Sequence, residues 1–272
     1  MTDEATPLVV LAAGHRCGST LVQRLLCSHP RVMIWGEHAG QLRPILAAVE
    51  RLRLWTDHSA TFAPDELAPC GYQGFIAALT PERSCVDDAC RAFVETLFAK
   101  PALQLGRPIW GFKEVRYGLS DALLLQGLFP RLRVIQIVRD PRDVLRSLEY
   151  CERDFGWTRR DTEAALRYWL KVAGSFVGSG ADPNLGSLIL TVRYEDLIAD
   201  TRRWSAAISH HCELDDESFD HSVFDKRVHA PGAFGSVDRE LHDWSALPAS
   251  LRALADNERI HMVASAYGYD LS

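Results

Sequence analysis

Short apolar runs alternate with amphipathic stretches along most of this chain, and the alternation predicts the elements of its fold. Five apolar runs have the length of buried strands and cover residues 8–13, 31–35, 108–115, 134–138 and 187–193. Apolar residues at helical spacing predict helices over residues 20–27, 41–54, 87–100, 121–129, 144–151, 157–177, 201–211 and 247–267. Because strands alternate with helices throughout, we expect a three-layer α/β fold with a mostly parallel central sheet flanked by helices.

The length of the chain agrees with one large domain. With 272 residues, of which 47% are hydrophobic, the chain can bury a sizeable core, and we expect a single domain over residues 1–272. Prolines and glycines punctuate residues 55–85, which we interpret as a loop-rich insertion that shapes a substrate site. The chain has no apolar stretch of the roughly 20 residues that span a membrane, so we expect no membrane partner.

Charge and cysteine content narrow the functional classes. A net charge of −6 argues against a general nucleic-acid-binding protein, so we expect no nucleic-acid partner. The seven cysteines are odd in number and include no CxxC pair, which indicates reduced thiols in a cytoplasmic protein rather than disulfides or a zinc site. Positive charge is nonetheless focused, because four arginines fall in only two short stretches: Arg16, and then Arg139, Arg142 and Arg146.

The first of these stretches has the pattern of a phosphate-binding turn. A predicted strand over residues 8–13 leads into GHRCGST at residues 14–20, and a predicted helix follows. The free N–H groups and the dipole of a helix N-terminus favour an anion, and glycines allow the backbone to approach it closely. Arg16 adds a fixed positive charge, while Ser19 and Thr20 add hydroxyl donors.

This turn differs from a Walker A loop, and a plain strand-to-helix turn is the alternative interpretation. Three residues rather than four separate Gly14 from Gly18, and no lysine precedes the hydroxyl residues. Cys17 lies within the turn and is either a reactive thiol or a small residue that fits there. We favour the second interpretation of Cys17.

The second stretch repeats the arrangement without glycines. The predicted strand over residues 134–138 ends at Arg139, residues 139–143 turn the chain, and Ser147 lies in the helix that continues from Val144. Arg139 and Ser147 can therefore face one phosphate. Two such sites fit a ligand that carries phosphates at both ends of a nucleoside.

Three further stretches follow predicted strands, at the edge where parallel sheets bind ligands. Glu37 and His38 lie together after the second strand and are either candidates for general-base chemistry or part of an exposed polar loop. Lys113 lies near the end of the third strand and either reaches the anion site or pairs with Glu114 or another acid. Tyr194 follows the last strand and either stacks on a base or packs in the core.

Together these stretches resemble the sulfotransferases that use 3′-phosphoadenosine 5′-phosphosulfate (PAPS). Residues 14–26 are similar to their 5′-phosphosulfate loop, which has a basic residue, a small residue, a glycine and two hydroxyl residues. Residues 134–147 are similar to their 3′-phosphate motif, and RYEDL at residues 193–197 resembles the segment after a later strand. The resemblance implies a P-loop-like fold and an enzyme that transfers a sulfuryl group in line, with no metal required.

The resemblance is closest to the tyrosylprotein sulfotransferase-like group, which includes soluble bacterial members. HPRVMIWGEH at residues 29–38 is similar to the group's stretch of HP, a short strand and Gly-Glu-Glu, and WGFKE at residues 110–114 lies where the group has its active-site lysine. Two features depart from the pattern. The second glutamate is His38 here, with one extra residue before Gly36, and the C-terminal half matches only faintly at residues 243–244.

The resemblance implies a role for each candidate residue. Arg16 and Lys113 would neutralise charge on the bridging and sulfuryl oxygens, and either Glu37 or His38 would accept the proton of the acceptor hydroxyl. The implied cofactor contacts come from the two phosphate motifs and the last strand: Arg16, Cys17, Gly18, Ser19, Thr20, Arg139, Ser147 and Tyr194.

The resemblance leaves the acceptor open among small molecules, sugars and peptide tyrosines that carry a hydroxyl group. Two other functions compete with sulfate transfer. A P-loop kinase for a small molecule would need the Walker lysine that this chain lacks. A catalytically inactive nucleotide-binding module would not need Arg16, Lys113 and the Glu37–His38 pair.

Overall fold

A parallel five-stranded sheet forms the centre of the computed structural model, which describes residues 7–58, 71–73, 80–179, 182, 184–225 and 247–271. The strands are β1 (Leu8–Ala12), β2 (Val32–Trp35), β3 (Ile109–Glu114), β4 (Arg133–Val138) and β5 (Ile189–Arg193). Their order across the sheet is β2–β3–β1–β4–β5, and all four neighbouring pairs are parallel. The predicted parallel sheet with flanking helices is therefore confirmed.

Helices connect and cover the strands. They are α1 (Ser19–Ser28), α2 (Leu42–His58), α3 (Arg83–Val94), α4 (Lys100–Gln104), α5 (Leu119–Leu128), α6 (Pro141–Phe155), α7 (Arg159–Phe176), α8 (Tyr194–Ala199), α9 (Thr201–His211), α10 (Ala249–Ala255) and α11 (Glu258–Ala266). A π-helical turn, Glu95–Ala99, joins α3 to α4. Among the described residues, no helix is long and apolar enough to cross a membrane.

The strands were predictable because the middle of a parallel sheet is buried on both faces. All five residues of β1 are at most 2% exposed, so the strand reads as a continuous apolar run rather than an alternating one. Gly111 in β3 is needed for sheet packing. A Cβ atom there would lie 1.6 Å from the carbonyl oxygen of Leu8 in the neighbouring strand.

Two predicted helix starts are wrong because the capping residue lies earlier than expected. The helix predicted from residue 121 begins at Leu119, because the Asp121 carboxylate accepts a hydrogen bond from the backbone N–H of Gly118 at 2.9 Å. The helix predicted from residue 144 begins at Pro141, where a proline suits the first turn. Its cap is Asp140, whose side chain accepts from the N–H of Arg142 at 2.8 Å.

The single closing helix predicted over residues 247–267 is also wrong. The structure has two helices there, α10 and α11, with a break at Asp256 and Asn257. The Asn257 side chain accepts a hydrogen bond from the N–H of Arg259 at 3.0 Å and so caps the second helix. The apolar spacing alone did not reveal this interruption.

The predicted insertion over residues 55–85 lies largely outside the described residues. Its start is the last turn of α2, which runs to His58 rather than ending at residue 54. Near its end, α3 begins at Arg83, four residues before the predicted start at residue 87. Residues 59–70 and 74–79 are outside the described part of the chain, as are the faintly matching residues 243–244.

The topology brings the predicted site stretches to one edge of the sheet. Because all strands are parallel, the segments that follow their carboxyl ends share that edge. These segments begin after Ala12, Trp35, Glu114, Val138 and Arg193. The chain lies to one side of the central strand β1 in its first half and to the other side in its second half, the topology at which parallel α/β sheets commonly bind ligands.

Candidate active site

The turn between β1 and α1 is a tight, left-handed loop that ends at an open helix N-terminus. Gly14, Arg16 and Gly18 have positive φ angles of 78°, 68° and 93°. No side chain caps the first turn of α1, which begins at the largely buried Ser19. The N–H groups at such a helix end, together with the helix dipole, favour an anion. This part of the structure agrees with the predicted anion cradle.

The two glycines of this turn also have packing partners that the sequence did not reveal. A Cβ atom at Gly14 would lie 2.9 Å from the carbonyl oxygen of Ala165 in α7. A Cβ atom at Gly18 would lie 2.3 Å from the ring of Tyr194. The glycines are therefore required by close contacts with α7 and the segment after β5, besides the positive φ angles that they adopt.

The side chain of Cys17 is packed in the core and has a structural role. The thiol is fully buried and donates to the carbonyl oxygen of Ala13, with 2.9 Å between sulfur and oxygen. Burial raises the pKa of the Cys17 thiol to about 12, so it stays protonated and unreactive at neutral pH. This supports the small-residue interpretation, and only the backbone of Cys17 is left as a cofactor contact.

Arg16 joins the two predicted phosphate sites. Its Nε donates to the Ser147 hydroxyl at 2.7 Å, across 131 positions of sequence. Its backbone carbonyl accepts a hydrogen bond from Arg139 at 3.3 Å. The strand–turn–helix units after β1 and β4 are therefore in direct contact, and Arg16 contacts both Arg139 and Ser147.

Arg139 is a largely buried cation that retains one unused donor. The centre of its guanidinium lies 4.3 Å from the centroid of the Tyr194 ring, a cation–π geometry. Its Nε is buried and makes no hydrogen bond within the described part of the chain. Its Nη2 lies 4.0 Å from Oδ2 of Asp143. A further acceptor, such as a phosphate oxygen, would satisfy this donor.

A second cluster of charges lies after β2 and β3. The buried Lys113 donates from Nζ to Oε1 of Glu37 at 2.5 Å, so its acidic partner is Glu37 rather than Glu114. Arg116 reaches the other oxygen of Glu37 at 3.3 Å and Oε1 of Glu114 at 2.9 Å. The Glu37 side chain is 28% exposed, compared with 23% for Arg116 and 8% for Lys113.

Glu37 is held in its ionised form by these neighbours. Burial by itself favours the protonated carboxyl, but the hydrogen bond from Lys113 and the charges of Lys113, His15 and Arg116 outweigh it and lower the pKa of Glu37. The carboxylate is therefore available at neutral pH to accept a proton. Its low pKa also makes it a weaker base than an unpaired carboxylate.

His38 is placed differently from its neighbour Glu37. Its ring packs against Phe98, Phe112 and Tyr117, with centroid distances of 5.0 to 6.0 Å. Both ring nitrogens are buried and lack a hydrogen-bond partner among the described residues, and Nδ1 is 3.5 Å from Oε2 of Glu114. Burial lowers the pKa of His38, although Glu114 opposes the shift. The imidazole is thus a neutral, packed ring.

Comparison with known proteins identifies the family. The sequence model of the sulfotransferase family matches residues 7–218. The chain belongs to this sulfotransferase family. The sulfotransferase domain from the Synechococcus PCC 7002 olefin synthase is 20% identical, covers 100% of this chain and 98% of its own, and superposes with a TM-score of 0.53. The sulfotransferase domain from the curacin biosynthetic pathway is 16% identical, with coverage of 98% and 99% and a TM-score of 0.55.

These comparisons confirm the resemblance at the level of family and fold. At such identities the two structural neighbours show that the sulfotransferase fold is shared, and the family membership makes this chain a sulfotransferase enzyme. No curated protein matches the sequence. The closer likeness to the tyrosylprotein group, the individual site roles and the cytoplasmic location stay predictions.

Sequence reasoning missed four residues of this sulfotransferase site: His15, Glu114, Arg116 and Trp157. The charge of Glu37 acts on the His15 ring, which packs edge to face on Trp157 with 5.4 Å between centroids. Burial lowers the pKa of His15, and the charge of Glu37 opposes that shift. Glu114 and Arg116 come within three residues of Lys113. Their position at the end of the predicted strand was the sequence signal that could have identified them.

Proposed function

We propose that this sulfotransferase moves the sulfuryl group of PAPS to a hydroxyl group of its acceptor by in-line transfer. One observation carries the proposal. Three cationic residues, Arg16, Lys113 and Arg139, lie at or just after the carboxyl ends of three parallel strands, on the sheet edge where the carboxylate of Glu37 contacts Lys113. A transfer between anionic oxygens needs this combination of positive charge with a proton acceptor.

The residues present fit a donor that carries phosphate at both ends of a nucleoside. The uncapped N-terminus of α1, with Ser19 and Thr20, suits the 5′-phosphosulfate. The three positive φ angles of the preceding turn agree with a loop that wraps closely around an anion. The buried, unused Nε of Arg139 and the hydroxyl of Ser147 suit the 3′-phosphate. Tyr194 lies beside both units, and we propose that it contacts the adenine.

The proposed chemistry divides among three residues. When bound, PAPS supplies a sulfuryl group already activated by its bond to a phosphate. Arg16 and Lys113 neutralise the negative charge that develops on the bridging and sulfuryl oxygens. Glu37 accepts the proton of the acceptor hydroxyl, and the partly open position of its carboxylate supports this assignment over the packed ring of His38.

The acceptor itself is a matter for experiment. We propose that the insertion predicted over residues 55–85 selects it, since segments inserted into a rigid scaffold commonly determine specificity. The direct test is a transfer screen with isotope-labelled PAPS over phenols, alcohols, sugars and tyrosine peptides, with ATP in place of PAPS as the control donor. Label transfer to one acceptor class supports the proposal, whereas phosphate transfer from ATP would replace it with a kinase.

Replacing Arg139 with Ala should weaken binding of 3′-phosphoadenosine 5′-phosphate by about 2–4 kcal/mol, because a charge-assisted contact with the phosphate is lost. Binding of ADP should change little, since ADP has no 3′-phosphate. Calorimetry with both nucleotides measures the difference. Arg142→Ala is the matched control, because that guanidinium pairs with Asp140 at 2.8 Å. Equal losses for both nucleotides would mean that Arg139 only supports the fold.

A further inference from the structure

The carboxylate of Glu114 accepts hydrogen bonds from two backbone N–H groups, one of them in residues 36–40, the Glu37 loop. Glu114 is completely buried, so its charge must be compensated within the protein. Its Oε1 accepts from the N–H of Val115 at 2.9 Å, and its Oε2 accepts from the N–H of Gly40 at 2.8 Å. The second bond ties the far end of the Glu37 loop to the end of β3.

Arg116 connects this buried carboxylate to Glu37. Its Nη1 lies 2.9 Å from Oε1 of Glu114 and 3.3 Å from Oε2 of Glu37. The backbone of Arg116 is itself held, because Arg43 donates to its carbonyl oxygen at 2.8 Å while also pairing with Asp121. Arg116 is therefore held both at its backbone carbonyl and at its guanidinium.

The two cations that contact Glu37 differ in their other tasks. Lys113 is buried and holds Oε1 of Glu37, and the proposed reaction also requires it at the sulfuryl group. Arg116 has a rigid, planar guanidinium and a second, buried partner in Glu114. While Lys113 acts on the sulfuryl group, Arg116 is the contact that remains to the Glu37 carboxylate.

We propose that Arg116, anchored by the buried Glu114, is a positioning residue that orients Glu37 for proton transfer. The inference rests on the proposed function, because it takes Glu37 as the base. The titratable and charged groups that face Glu37 come from three segments: His15 after β1, His38 in its own loop, and Lys113, Glu114 and Arg116 at the end of β3.

A titration that needs no activity tests the contact first. Arg116 helps to lower the pKa of Glu37, so Arg116→Met should raise that pKa. NMR of isotopically labelled glutamate carboxyl groups measures it, with Glu37→Gln assigning the signal. Arg167→Met is the control, because Arg167 is an exposed arginine that pairs with Glu163 outside the site. An unchanged pKa in Arg116→Met would overturn the proposal.

Steady-state kinetics test the positioning itself. Arg116→Met should lower kcat about 10- to 100-fold while KM for PAPS stays within about threefold. Arg116→Lys keeps the charge, but its shorter side chain lacks the planar guanidinium whose Nη1 contacts both carboxylates, so it should keep the low pKa of Glu37 and still lose kcat. Arg116→Lys also provides the test of positioning if Arg116→Met does not fold. A kcat within about twofold of wild type in Arg116→Lys would overturn the proposal.

The two experiments separate this inference from the proposed function. If the wild-type enzyme transfers no sulfate from PAPS, the proposed function fails, and the titration still reports whether Arg116 acts on Glu37. If the wild type transfers sulfate and the Arg116 variants behave like Arg167→Met, the positioning role alone fails.

Discussion

Replacing Glu37 with Gln is expected to lower kcat by about 10²–10⁴-fold, the contribution typical of a positioned general base. Glutamine has the same shape and can still accept the hydrogen bond from Lys113, so the affinity for PAPS should change little. It cannot accept the proton of the acceptor hydroxyl at neutral pH. Initial rates and donor binding measured on the same preparation separate the two effects.

The pH profile of the Glu37 variants provides the sharper comparison. Because Lys113, His15 and Arg116 lower the pKa of Glu37, kcat/KM of the wild type should fall only below the ordinary titration range of glutamate. Glu37→Gln should remove that acid limb, and His38→Ala should keep it. Glu50→Gln is the control, since Glu50 is an exposed carboxylate paired with Arg53. A Glu37→Gln variant that retains more than about a tenth of kcat would exclude Glu37 as the base.

Replacing Lys113 with Ala is expected to lower kcat by about 10²–10³-fold, the scale for removing one group that stabilises developing charge. The loss should appear mainly in kcat, because this charge is proposed to act on the sulfuryl group in the transition state rather than on the bound nucleotide. The variant should also raise the pKa of Glu37, which loses its nearest cation. Single-turnover rates with PAPS at saturation measure the catalytic loss.

The control for this prediction is Lys171→Ala, which removes an exposed lysine from α7. Thermal melting of both variants checks that the buried position of Lys113 has not made the effect one of folding. Near-normal kcat in a folded Lys113→Ala variant would show that the lysine has only a structural role, as a charge partner for Glu37.

The strands of this fold were more predictable than the ends of its helices. A central strand such as β1 is buried on both faces and therefore leaves a continuous apolar run in the sequence. Helix ends depend on single polar contacts, such as the one between Asp121 and the N–H of Gly118 or the cap at Asn257. Apolar spacing carries no information about these contacts, which is why the predicted boundaries were wrong there.

The sequence predicted which sheet edge holds the site residues, but it did not predict which of their side chains contact each other. Each candidate residue lies at or after the carboxyl end of a strand, and parallel strands bring these ends together. The contact of Lys113 with Glu37 spans 76 positions and that of Arg16 with Ser147 spans 131, so both depend on strand order rather than on local spacing. For the same reason the bridge from Arg116 to two carboxylates was visible only in three dimensions.

Calorimetry of the wild-type enzyme with 3′-phosphoadenosine 5′-phosphate and with ADP tests the central claim most directly, because it requires no knowledge of the acceptor. The Arg139 and Ser147 site predicts that the 3′-phosphorylated nucleotide binds more tightly by about 2–4 kcal/mol, the value of a charge-assisted phosphate contact. Equal affinity for the two nucleotides would contradict the assignment of PAPS as the donor.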